Sequence, residues 1–129
     1  DWMGDIRTVV DRTQDLTINV AEGPLAIDEI LGAIERYLTQ DPTLKVLWDF
    51  RGADGGGIDS QDIVRLQDVV RDLAPADERR KVAIVVARDL GYGLSRMAES
   101  RGEMAGITAD YFVTRSMAEA QAWLGVSRA

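Results

Sequence analysis

The chain has 129 residues, a formal net charge of −7, and neither cysteine nor histidine. Disulfides, thiol nucleophiles and zinc–thiolate sites are thereby excluded, along with the commonest general base and the commonest metal ligand. An acidic surface repels phosphate backbones and anionic lipid, which argues against nucleic-acid binding and stable membrane association.

At this length the chain reads as one domain over residues 1–129, because about 100–200 residues per domain is usual. Such a chain buries roughly two thirds of its unfolded surface and needs no staples. No apolar run approaches the ~20 residues that span a bilayer, and no signal peptide is visible. A cytoplasmic location is the expectation. Catalysis would have to run on carboxylates, Lys45, Lys81, tyrosines or arginines. An enzyme is therefore not expected, nor a cofactor or a metal site.

In chain order, Ile6, Thr8 and Val10 alternate with Arg7, Val9 and Asp11, and Leu16, Ile18 and Val20 alternate with Thr17, Asn19 and Ala21. Period two marks two half-buried strands. The short polar link Arg12-Thr13-Gln14-Asp15 makes them an antiparallel hairpin. Pro24 is expected to end the second strand, since proline cannot continue a ladder. Ile27, Ile30, Leu31, Ile34, Tyr37 and Leu38 fall at helical spacing, with Asp28, Glu29, Glu35 and Arg36 facing water. Asp41-Pro42 stops this helix.

The strand Lys45-Val46-Leu47-Trp48-Asp49-Phe50 follows and is taken as the middle of the sheet. The glycine-rich turn Gly55-Gly56-Gly57 comes next. Asp59 or Ser60 caps a second helix with the stripe Ile63, Leu66, Val69, Val70 and Leu73. Asp77-Glu78-Arg79-Arg80 reads as a charged connector. Val82–Ala87 is uniformly apolar and suits a strand covered on both faces. Leu90, Leu94, Met97 and Ala98 suggest a third helix, ending near Gly102. Tyr111–Thr114 is a fifth strand, and Ser116 caps a last helix carrying Met117, Ala120 and Leu124, with Trp123 at its edge. Strands alternating with helices define an α/β layer fold with mostly parallel pairing.

Three stretches carry a resemblance. They are Lys45–Phe50, Lys81-Val82-Ala83-Ile84-Val85-Val86, and Tyr111-Phe112-Val113 with the closing Met117-Ala118-Glu119-Ala120-Gln121-Ala122-Trp123-Leu124. In them the chain resembles the small bacterial SpoIIAA-like proteins, related in fold to STAS domains (anti-sigma-factor antagonists) and to CRAL-TRIO lipid-transfer domains. The resemblance implies a β-α superhelix with a five-stranded mixed sheet, an N-terminal antiparallel hairpin with the rest parallel, and four helices mainly on one face. It implies a regulatory or protein-interaction module that acts as a homodimer or with a regulatory protein partner. The alternative is a carrier or sensor of a small apolar or acyl ligand.

Right-handed crossovers place such helices on one face of the sheet. The large apolar set Leu16, Ile18, Val20, Val46, Trp48, Phe50, Val82, Ile84 and Val86 is assigned to that face. The mixed set Thr17, Asn19, Ala21, Leu47, Asp49, Ala83, Val85 and Ala87 is left as a contact surface. From these sets and the third helix, Asn19, Leu47, Val85, Tyr92 and Met97 are the candidate partner or ligand surface.

Arg51, Arg88 and Arg115 each follow a parallel strand, where α/β folds bind ligands, and form a candidate anion or partner site. The competing reading pairs each with a nearby acid. Ser60 occupies the place of the phosphorylatable serine of STAS antagonists. It lacks the glycine that follows in their motif, and Asp62 adds like charge, so a helix-cap role competes with a phosphosite. Asp49, at the end of a buried strand, is weighed as a base of raised pKa against a carboxylate bonded to an arginine or to backbone N–H groups.

Overall fold

The structure is a computed structural model and describes residues 4–54, 57–74, 78–87, 92–93, 95–96 and 109–127. Its elements are β1 (Asp5–Asp11), β2 (Leu16–Pro24), α1 (Ile27–Thr39), β3 (Lys45–Asp54), α2 (Ser60–Leu73), β4 (Arg80–Val85), β5 (Ala109–Thr114) and α3 (Met117–Leu124). One sheet runs in the order β1-β2-β3-β4-β5, with β1 antiparallel to β2 and the other pairs parallel. The Lys45 strand is its centre, as expected. Tyr92, Gly93, Ser95 and Arg96 are helical; the rest of the helix expected around Leu90–Gly102 lies outside the described residues.

Local chemistry sets the element ends. Asp11 pairs with Leu16 across the hairpin, and its carboxylate accepts from the Thr13 N–H and hydroxyl and from the Gln14 amide, which holds the connecting turn. At α2 the cap is reciprocal. Asp59 accepts from the Asp62 N–H at 2.9 Å, and Asp62 accepts from the Asp59 N–H at 3.1 Å. Ser116 accepts from the Glu119 N–H at 3.2 Å and opens α3. Gly125 ends α3 with a left-handed φ of 71°, which a side chain would resist. Pro24 is the last residue of β2, as expected; it lies beyond the last β1 pair at Glu22, so no ladder bond to β1 needs a prolyl N–H, and it stays in register with Asp54.

Two apolar layers sandwich the sheet. On one face α1 and α2 cover Ala21, Val46, Trp48, Ala53, Ile84, Val86 and Val113, with Ile30 and Ala33 from α1. Gln67 of α2 is buried beside Ile63, whereas Leu73, expected in the stripe, is 40% exposed. On the other face α3 closes over Leu16, Leu47, Ala83 and Val85 with Ala120 and Leu124.

This second layer corrects the assignment of faces. Thr17 lies opposite Val46 and Asn19 opposite Trp48, so Thr17, Asn19 and Ala21 point to the α1–α2 face and Leu16, Ile18 and Val20 point away from it. The one-residue change of phase moves every β2 side chain to the other face. The placement of α3 has a separate cause. Crossover handedness governs only helices that join two parallel strands, such as α1 and α2. Since α3 follows the last strand, it is free to fold onto the face those two leave bare.

Candidate functional site

α3 packs on β3, β4 and β5 and reaches Leu16 of β2, and Ser127 just beyond it bonds Gln14 of the hairpin turn; past Leu16 the same face is more open over the outer hairpin. There Val9 is 58% exposed, and it lies opposite the half-buried Ile18. In the next row Arg7 lies opposite Val20, and Val20 opposite Asp49. Arg7 reaches across the hairpin to Glu22 at 2.8 Å with both side chains largely in water, a contact of small energetic weight. On the opposite face of the same strand Val10 is 46% exposed. The hairpin's outer strand thus shows apolar side chains on both faces. β1 was expected to be half-buried, and the exposure of Val9 and Val10 is the feature that alternation alone misses. The signal for it is that one pleat face, Asp5, Arg7, Val9 and Asp11, mixes charge with valine.

Asp49 and Arg51 stand at the border of this open area. The Arg51 guanidinium donates to both carboxylate oxygens of Asp49, at 2.9 and 3.0 Å, and the Arg51 N–H adds a third bond at 3.1 Å. Burial pushes the Asp49 carboxyl up. The Arg51 bonds and charge outweigh it, so the carboxyl titrates below the ordinary carboxylate range. A proton-accepting Asp49 of raised pKa is therefore not what the fold builds. Its carboxylate is held ionised by a fork-shaped partner.

Two of the three arginines fall among the described residues, and each has a partner of its own. Arg51 belongs to Asp49, and it lies inside β3 rather than after it, because that strand continues to Asp54. Arg115 follows β5 and its guanidinium lies 5.5 Å from the centre of the Tyr92 ring. Arg88 lies outside the described residues. Ser60 is exposed as the first residue of α2, and the cap is Asp59. A phosphate on Ser60 would sit at a helix N-terminus yet between two carboxylates, Asp59 and Asp62.

Asn19, Leu47 and Val85 are 1%, 2% and 0% exposed. They belong to this chain's own core, which corrects their reading as a surface. Leu47 and Val85 lie under α3, while Asn19 lies on the opposite, α1–α2 face next to Trp48. Tyr92 is half-buried against the α1–α2 layer. Met97 is outside the described residues.

A polar network at the other end of the parallel strands was not foreseen. The Thr17 and Thr43 hydroxyls bond at 2.8 Å, and the Tyr37 hydroxyl donates to the Thr43 carbonyl. Arg80 donates to the Tyr37 oxygen at 3.1 Å and to Glu78 at 3.0 Å. Arg80 is only 4% exposed. Read in sequence it is one more charge in a run of five; tertiary packing puts it under α1, where its stem fills space and its charge needs Glu78.

No group of three or more acids among the described residues is placed to hold a metal, and no described helix is long and apolar enough to cross a membrane. The molecule is thus an α/β superhelix with helices on both sheet faces and an outer hairpin strand whose Val9 and Val10 are exposed. That architecture is the SpoIIAA-like fold. It is shared with the crystal structure of an uncharacterised protein of the DUF3478 family, described as having a SpoIIAA-like fold, from Shewanella loihica PV-4. The two agree with a TM-score of 0.61 at 18% sequence identity over 94% of each chain. No family model matches the sequence, and no curated protein matches it.

Proposed function

We propose that the chain is a non-enzymatic regulatory or protein-interaction module, cytoplasmic and bacterial, that works through the outer strand of its hairpin. The observation that carries this reading is an edge strand with Val9 58% and Val10 46% exposed, continued on one face by half-buried Ile18 and Val20. Contiguous exposed apolar surface rimmed by charge is characteristic of contact sites. Arg7, Glu22, Asp49 and Arg51 supply that rim, and their ion pairs orient a partner more than they hold it. The SpoIIAA-like fold suits such a role, since its recurring motifs are structural and not catalytic.

The test pairs native mass spectrometry with affinity capture. The module reading expects a chain with no added small mass, and a protein retained by the wild type but lost by an Ile18→Lys/Val20→Lys variant. A small organic mass that leaves on denaturation would overturn it in favour of the carrier of an apolar or acyl ligand.

A further inference from the structure

β1 and β5 are the two edges of the sheet. An edge strand presents a row of backbone N–H and C=O groups without partners in its own sheet, and folds usually blunt it with proline, bulges or charge. β1 holds an unbroken register with β2 over Asp5–Asp11, without a bulge or a proline. Its charges, Asp5, Arg7 and Asp11, bracket the two exposed valines instead of replacing them.

The geometry points to a symmetric dimer in which β1 pairs antiparallel with β1 of a second copy, with the two-fold axis at Val9. A sheet continuous across the pair needs that axis perpendicular to it, so that like faces stay together. The pleat's period of two then requires the axis to pass through a residue position. Charge chooses among the positions. An axis at Arg7 sets the two arginines against each other. An axis at Thr8 sets Asp5 against Asp11. An axis at Ile6 pairs Arg7 with Asp5 but leaves both valines beyond Gly4 of the other copy. An axis at Val10 leaves Asp11 facing Val9. With the axis at Val9, Arg7 faces Asp11 twice, Val9 faces Val9, and Thr8 faces Val10. Unlike charges and apolar pairs directly opposite each other stabilise antiparallel strands, and like charges do the reverse.

The groups needed have capacity to spare. A guanidinium carries five donors, so Arg7 can hold Glu22 and the Asp11 of the second copy together. The Asp11 carboxylate accepts from Thr13 twice and from Gln14 once, and a carboxylate has about four acceptor sites. The join also extends a row already present. Val9 lies opposite Ile18, Ile18 opposite Leu47, Leu47 opposite Ala83, and Ala83 opposite Phe112. Meeting at Val9 makes that row continuous through both copies and pairs the most exposed valine with its own copy. Pairing over Arg7–Asp11 is a small interface, under about 1,200 Å² in total, so a micromolar dissociation constant is expected. This inference rests on the reading of the hairpin as the contact surface and names its partner as a second copy.

The chain has no cysteine, so single cysteines read the register. Directly opposite residues of an antiparallel pair have Cα atoms about 4.5–5.5 Å apart, within the roughly 4.4–6.8 Å that a disulfide spans. Val9→Cys is expected to give a covalent dimer on mild oxidation. Thr8→Cys and Val10→Cys each crosslink slowly alone and readily when mixed. In sedimentation velocity over a dilution series, Val9→Asp weakens the wild-type dimer about tenfold or more. A wild type that stays monomeric up to about 0.1 mM overturns the inference, as does a dimer whose Thr8→Cys form crosslinks and whose Val9→Cys form does not. A monomer that still captures a protein partner sinks the dimer while leaving the module reading in place. A chain carrying an organic mass sinks the module reading itself.

Discussion

Leu124→Ala tests whether α3 closes the second face of the sheet. Leu124 is 1% exposed and packs in the cluster of Leu16, Leu47, Ala83, Val85 and Ala120. The substitution removes three carbons, worth about 2.4 kcal/mol at ~0.8 kcal/mol per methylene. The cavity left behind adds to this, and buried leucines truncated to alanine lose about 2.7–5 kcal/mol in all. Two neighbours here, Ala83 and Ala120, are already small, and α3 is a short helix held at one end of the chain. It can settle part of the way, so the lower part of that range applies, about 3 kcal/mol. With a urea m-value of about 2 kcal/mol/M, the midpoint of unfolding should fall by roughly 1.5 M. Leu44→Ala is the control. Leu44 is 42% exposed, and its loss should stay within about 0.5 kcal/mol. Urea titrations followed by circular dichroism and by tryptophan fluorescence measure both. Because Trp123 rides on α3, stacked on Phe112 at 5.4 Å, its emission also reports whether the helix stays docked. A midpoint shift below ~0.3 M for Leu124→Ala, comparable to the control, would refute the packing argument. Leu47 and Val85 would then return as contact surface.

Asp59→Ala should cost about 1 kcal/mol and Ser60→Ala under about 0.5 kcal/mol in the same titration, because the carboxylate and not the serine caps α2. A larger loss at Ser60 would reassign the cap. Asn19→Val should raise the urea midpoint by about 1 kcal/mol equivalent. The buried Asn19 amide nitrogen has no hydrogen-bond partner, and the Thr8 hydroxyl that its carbonyl releases is open to water; a lowered midpoint counts against this. Acid stability should depend on Asp49. A carboxyl whose folded pKa is depressed stabilises the fold above its ordinary pKa and loses that contribution as pH falls through the folded value. The stability gap between wild type and Asp49→Asn should therefore narrow from pH 6 towards pH 2, and a constant gap would show that Arg51 does not hold the carboxylate ionised.

Much of the candidate site was written in residues near one another in the chain, but not its exposure. Arg51 next to Asp49, and Asp59 three residues before Asp62, form their bonds across a strand repeat or a single helical turn, so near-neighbour chemistry suffices to anticipate them. Arg51 was misplaced for the opposite reason: it was read as lying after its strand, and pairing with β2 carries β3 past it to Asp54. Val9 and Val10 were read as ordinary strand residues, because alternation reports a pleat and is silent on whether another strand or helix lies beyond it.

By itself the sequence determined most of the elements, the helix caps and the order. Alternation, capping side chains, the polar turn and helical spacing act over a few residues, so the hairpin, the central Lys45 strand and the serine-capped last helix all follow from local chemistry. Tertiary structure alone decided which face each element shows. Leu16, Ile18 and Val20 look like core residues, and so do Val46, Trp48 and Phe50, but only the register between β2 and β3 sets them on opposite faces. α3 joins no pair of parallel strands among the described residues, so crossover handedness does not set its side and it packs on apolar surface the other helices leave bare. Arg80 became a buried partner of Tyr37 because the start of β4 passes beneath α1. Each of these depends on contacts between residues far apart in the chain, whose free energy exists only once the layers meet.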